Sequence, residues 1–188
     1  LLATGAYAAS ADAGSKGPVT LMTAGNFAAL SYDADTLGNP FGRPMCTIRN
    51  MIAPSKTFFL VYYYDGSRFD FFKGGWKFAG DTPVQVSVQI DNNPPITGKA
   101  IGRANTQKGG ANVILQLGDA TELKPKLEMF ASGNQLTVTF PEGNERPWTI
   151  NLTGSREVSD AFAKCMANIP AETQPVGGKP TQPTQSLN

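Results

Sequence analysis

Histidine is missing from all 188 residues of the sequence, and that single zero excludes a broad set of chemistries. Without an imidazole there is no Ser-His-Asp or Cys-His triad, no HExxH zinc site and no proximal-histidine haem. Charge is scarce too: 16 Lys and Arg against 15 Asp and Glu leave a net charge of +1. That balance argues against a nucleic-acid partner and against bulk anionic lipid. Cysteine is limited to two residues, Cys46 and Cys165, and neither stands in a CxxC or a Cys-His cluster, so metal and thioredoxin-type sites lose support. No run approaches the ~20 apolar residues of a membrane-spanning helix, so no transmembrane span is expected. Phosphate-loop, GxGxxG, SxxK and EF-hand spacings are absent as well. No cofactor, metal or catalytic residue is assigned on these grounds.

What is present fits one domain with extensions. Residues 1–26 hold one Lys and one Asp among many Ala, Gly, Ser and Thr, and read as an N-terminal arm. Within it Ala6-Tyr7-Ala8 has the small-x-small form of a signal-peptidase site, so the arm is either the remnant of a signal peptide or a flexible extension. Residues 169–188 carry Pro170, Pro175, Pro180 and Pro183 with Gly177 and Gly178, and read as a C-terminal tail. The domain proper is then 27–168. Its two cysteines are expected to form one long-range disulfide, worth about 4 to 5 kcal/mol in the chain-entropy model. The alternative is two buried thiols.

Period-two alternation dominates the middle of the chain. Val84, Val86, Val88 and Ile90 alternate with Gln85, Ser87 and Gln89, giving one face to a core and one to water. Leu136, Val138 and Phe140 repeat the pattern, as do Trp148, Ile150 and Leu152, and the turn-rich Pro141–Glu145 joins these two as a hairpin. Further strands are expected at Met45–Met51, Ile96–Ala104 and Ala111–Leu117. Phe58–Tyr64 is apolar on both parities, as suits a strand covered on both sides, and Asp65-Gly66-Ser67 turns it toward Arg68–Phe72.

Two segments break the alternation. Lys124-Pro125-Lys126 with Leu127, Phe130 and Gly133 predicts a short helix. After Gly154 and Ser155, the latter a suitable N-cap, Val158, Phe162, Cys165 and Ile169 fall on one helical stripe that carries Cys165 inward toward Cys46. The expected fold is mainly β: an antiparallel β-sandwich or partly open barrel with one short helix and one C-terminal helix packed on the sheet.

Candidate sites are few. Tyr62, Tyr64, Phe69, Phe71 and Trp76, with the basic Arg68 and Lys73, form a candidate interaction surface if they face water; packing in the core is the other use of such residues. Asp65 and Asp70, brought together across a hairpin, would resemble a carboxylate pair for glycosidase chemistry or cation binding, or are solvated turn residues. Asp91-Asn92-Asn93-Pro94-Pro95 offers oxygen ligands but is also what a turn needs. Asn151-Leu152-Thr153 matches a glycosylation sequon. Charge is uneven: residues 41–110 carry nine basic and four acidic side chains, and residues 111–172 five and eight. A basic face of this kind, with aromatics interleaved, would suit an acidic polysaccharide, an anionic lipid headgroup or an acidic protein; a mixed, solvated surface is the alternative.

The order Trp148-x-Ile150-x-Leu152-x-Gly154-Ser155, followed by Phe162 and Cys165, resembles the C-terminal pattern of small exported bacterial proteins of the invasion-associated locus B type. The resemblance spans residues 44–167. It implies a periplasmic, cell-surface or secreted β-rich domain held by one disulfide, and it supplies no catalytic residues. The Pro-rich tail and the region from Gly25 to Pro44 depart from it. The expected function is that of an exported, non-enzymatic module that binds a protein partner or belongs to an envelope assembly. The alternative is an inhibitor or ligand-binding protein acting on a hydrolase or polysaccharide.

Overall fold

Alternating side chains need strand partners, and the computed structural model, which describes residues 16–36, 39, 42–105 and 109–170, supplies them in one sheet. The strands are β1 (Val19–Ala24), β2 (Phe27–Tyr32), β3 (Met45–Ala53), β4 (Lys56–Tyr63), β5 (Gly66–Gly74), β6 (Thr82–Ile90), β7 (Ile96–Asn105), β8 (Gly110–Gly118), β9 (Gln135–Thr139) and β10 (Trp148–Asn151). Helix α1 (Ala120–Ser132) lies between β8 and β9, and helix α2 (Ser155–Ala167) follows β10. The strand order is β1-β2-β3-β4-β5-β8-β7-β6-β9-β10, antiparallel throughout. β1 to β5 run as neighbouring hairpins. The chain then crosses through residues 75–81 to β6, and β6-β7-β8 returns to close on β5.

The sheet is open, yet it bends back on itself. Phe71 on β5 and Trp148 on β10, at distant places in the strand order, have ring centroids 6.1 Å apart. The concave side holds the core: Ile48, Phe58, Leu60, Phe69, Phe71, Val88 and Val138 from strands, with Leu123, Phe130, Val158 and Phe162 from the helices. The architecture is therefore mainly β with two helices on the sheet, as the alternation predicts. β4 carries Phe58, Leu60 and Tyr62 into that core, while Val61 and Tyr63 on its other face form a small cluster with Met45.

Several boundaries differ from the sequence reading. β1 falls inside the stretch that composition assigns to an arm, because what makes it a strand is pairing with β2, a long-range fact. α1 begins at Ala120 rather than at Lys124. Asp119 accepts from the Thr121 and Glu122 amides, and the Glu122 side chain accepts from the Asp119 amide, a capping box that satisfies otherwise orphaned donors. Pro125 consequently sits inside the helix. α2 is capped by Gly154 at φ 90°, not by Ser155, whose buried hydroxyl reaches the Ala131 carbonyl at 3.5 Å. Val158 and Phe162 of the α2 stripe are buried as expected, Ile169 falls beyond the end of the helix, and Cys165 is bonded to Cys46 with their Cα atoms 6.0 Å apart. Residues 1–15, including Ala6-Tyr7-Ala8, and the tail beyond Pro170 lie outside the described residues.

Candidate interaction surfaces

β1 ends the strand order and, among the described residues, pairs with β2 alone. An edge strand offers a row of backbone N–H and C=O groups to another chain, and proteins commonly blunt it with charge, proline, brevity or a bulge, of which β1 has the bulge at Leu21. The six residues of β1, V-T-L-M-T-A, contain no charge and no proline. Val19, Leu21 and Met22 are 58%, 40% and 40% exposed. One irregularity interrupts the ladder: Thr20 faces Leu30 and Met22 faces Ala29, which leaves Leu21 as the extra residue of a bulge. A bulge re-aims side chains, and Leu21 and Met22 both line a groove of about 640 Å³. The opposite wall of the groove is α2, through Glu157, Asp160, Ala161 and Lys164, and its far end is made by Tyr32, Pro44 and Met45.

A second constellation gathers at the loop between β9 and β10. Oε1 of Glu145 accepts from Nε1 of Trp148 at 2.8 Å and from Nζ of Lys56 at 3.2 Å. Oε2 accepts from Nζ of Lys73 and from Nε1 of Trp76 at 3.3 Å. The two indoles stack with centroids 5.4 Å apart, and Lys56 Nζ lies 5.2 Å from the centre of the Trp148 ring. Burial alone pushes the Glu145 carboxyl up, but hydrogen bonds from Lys73, Trp148 and Lys56 outweigh it and lower its pKa to about 2. Each oxygen thus has two donors, and the group stays ionised over the ordinary pH range. This chemistry suits a tie, not proton transfer: it fastens the β9–β10 loop to β4, β5 and the crossover at residues 75–81. Beside it lies a cleft of about 310 Å³ walled by Trp76, Phe78, Val84 and Phe140.

The seven residues proposed as one interaction surface are divided by the sheet. Phe69 and Phe71 are fully buried on the concave side and Tyr62 is nearly so, because their parity points inward. They pack in the core and do not face solvent. Lys73 and Trp76 belong to the Glu145 tie. Arg68 points to the convex side, where it pairs with Asp70 at 2.8 Å, and Tyr64 is exposed near Arg43, which lies 5.5 Å from its ring centre.

The carboxylate pair is not formed either. Asp65 sits in the turn and bonds Arg43 at 3.0 Å, whereas Asp70 lies opposite Phe59 along the hairpin. Burial pushes the Asp70 carboxyl up, against the pull of Arg68 and Arg103. Its Oδ1 has no hydrogen-bond partner among the described residues. Asp91 behaves as a turn residue: at φ 49° it accepts from the backbone amides of Asn134 and Gln135, which hold its carboxyl below the usual range. Asn151 accepts from the Thr153 amide at 2.8 Å.

Of the basic residues between 41 and 110, Arg43, Lys56, Arg68, Lys73 and Arg103 are ion-paired, which leaves less unpaired positive charge for a basic face. Among the described residues no group of three or more His, Cys, Asp or Glu side chains is placed to hold a metal ion. No helix among them is long and apolar enough to cross a membrane.

Sequence reasoning missed β1 and Glu145. The available signal for β1 was an uncharged Val-Thr-Leu-Met run whose alternation the bulge breaks; for Glu145 in its loop there was none. No family model, no curated protein and no solved structure matches the chain.

Proposed function

We propose that the chain is an exported, disulfide-tied binding module without catalytic activity, which holds another macromolecule at the β1 edge of its sheet. The observation that carries this reading is the exposed, uncharged, proline-free edge strand with three apolar side chains turned to solvent. Backbone groups left open on such an edge provide affinity to an incoming strand, and adjacent pockets provide selectivity. The Cys46–Cys165 bridge supports an oxidising location such as a periplasm or cell surface, since disulfides persist there and are rare in the cytosol.

A photo-crosslinking residue placed at Leu21, in the cells that make the protein, tests the reading. Capture of one dominant partner is expected there, with none from the same probe at Ile101, which is similarly exposed but lies on β7 within the sheet. Equal capture at both positions rejects the edge. The alternative, binding of a polysaccharide or other flat ligand, is favoured only by the aromatic cleft at Trp76, Phe78 and Phe140. The chain has two tryptophans, both at the Glu145 tie, so a change of their emission on titration with an acidic polysaccharide would support that reading instead.

A further inference from the structure

We infer that the macromolecule held at the β1 edge is a second copy of this chain, the two β1 strands pairing antiparallel about a twofold axis. The inference rests on the reading of β1 as the binding edge and names its occupant. Three observations carry it.

β1 buries little within one chain. Its first five residues, Val19 to Thr23, are exposed, and only Ala24 is partly covered. Ordering a strand costs backbone entropy, which ladder bonds and the packing of side chains against neighbouring strands offset. Among the described residues β1 has its ladder to β2 and the contact of its turn with Thr153 and with the Gly154 backbone. Val19, Leu21 and Met22 stay largely open to water.

The strand is complementary to itself. Set against its own reverse, Val19-Thr20-Leu21-Met22-Thr23-Ala24 places Thr20 opposite Thr23 of the copy, Leu21 opposite Met22 and Val19 opposite Ala24. Each polar residue then meets a polar one and each apolar residue an apolar one, the pairing that stabilises antiparallel strands. The threonine hydroxyls serve as donor and acceptor alike. Because β1 has no charge, no like charges meet across the axis, and like charge is a common device against self-pairing of edges. The net charge of +1 on the whole chain adds little repulsion between copies. A charged segment of a different protein would find no counter-charge on this strand.

The symmetry closes. Contact between the same edge of both copies is isologous and ends at two chains, whereas β1 laid on β10 would be heterologous and would propagate. β10 has only four residues against the six of β1, so it offers the shorter ladder. The bulge at Leu21 lies beside the axis and interrupts the outward ladder there. A contact this short gives a dimer in the micromolar range, not a permanent one.

The test uses the purified full chain in sedimentation velocity from about 1 to 100 µM. The mean mass is expected to rise with concentration from that of one chain toward twice that mass. Leu21→Lys alone and Leu21→Glu alone should each weaken association about tenfold or more, since like charges then approach each other beside the axis. Mixing the two variants should restore association to within about threefold of the parent, because the charges now oppose and pair. That recovery also shows that both variants fold. Ile101→Lys, which places a charge at an exposed position on β7 within the sheet, should leave the mass profile unchanged.

A single-chain mass over the whole range overturns the inference. So does association that survives Leu21→Lys, or that fails to return on mixing. The photo-crosslink at Leu21 separates the two readings. A product of twice the chain's mass that contains this chain alone supports the second copy. A product joining a different protein leaves the edge reading standing and overturns the second-copy inference. A crosslink within one chain, which would put another of its own segments on the edge, overturns both, and loss of the crosslink removes the edge reading itself.

Discussion

A Cβ on Gly154 would stand 2.6 Å from the carbonyl carbon of Ala24. The turn between β1 and β2 is seated directly on the junction of β10 and α2, so that the loops at the two ends of the strand order meet although the strands β1 and β10 do not pair. Gly154 also has φ 90°, in the left-handed region where side chains are strained. The position of the β1 edge is thus fixed by backbone contact at a glycine.

Gly154→Ala is expected to destabilise the fold by about 3 kcal/mol or more, combining left-handed strain of about 1 to 2 kcal/mol with the clash. Gly80→Ala is the control: φ is 80° there, but nothing lies within 4 Å of the added Cβ. It should cost the strain alone. Urea midpoints of the two variants check the difference, and equal losses would show that the Ala24 contact yields without cost.

Acid should weaken the Glu145 tie. The carboxyl has a pKa of about 2 in the folded chain against an ordinary 4.5. A depressed folded pKa contributes stability that is fully present above pH 4.5 and is lost as pH falls toward 2, here up to about 3 kcal/mol. Glu145→Gln should be less stable than the parent at pH 7, since Lys56 and Lys73 lose their counter-ion, and its stability should fall less steeply between pH 4.5 and pH 2. Both indoles donate to this carboxylate, so tryptophan emission should follow the same transition in the parent. Parallel pH profiles for parent and variant would contradict the assignment.

Removing the disulfide should loosen the groove wall as well as the fold. Cys46 and Cys165 are separated by 119 residues, for which the chain-entropy model gives about 5 kcal/mol. The double substitution Cys46→Ala with Cys165→Ala is expected to lower the urea midpoint accordingly. It should also raise amide exchange in α2 and β1 more than in β6 or β7, because Cys165 is what fastens α2 to β3 beside the groove. Uniform acceleration across the sheet would mean that the bridge acts on global stability only.

The strands β6, β9 and β10 were legible because each has a single buried face. Val86, Val88 and Ile90, then Leu136 and Val138, announce it by alternation, and the structure places each set in one core. β2 was not legible: Phe27, Ala28, Ala29 and Leu30 are all buried, so no period marks it. The start of α1 is written in Asp119 and Glu122, the two halves of its capping box, whereas Pro125, a residue favoured in a first turn, points to a later beginning. The aromatic run at 58–72 shows the limit of composition, which cannot say which side of a sheet a ring occupies; alternation along β5 puts Phe69 and Phe71 in the main core and Arg68 and Asp70 on the opposite face, where they pair and are largely covered.

The sequence by itself determined that the chain is mainly β, that its last helix buries one stripe, and that no chemistry dependent on imidazole is available. These follow from local periodicity and from residue counts, which need no knowledge of neighbours. Only the tertiary structure decided that Val19–Ala24 forms an edge, that α2 walls one groove with Leu21 and Met22, and that Glu145 gathers two lysines and two tryptophans. Those arrangements join residues far apart in the chain, and the energies that create them, backbone pairing, a shared counter-charge and the fit of a glycine against a carbonyl, exist only once the sheet has folded back on itself.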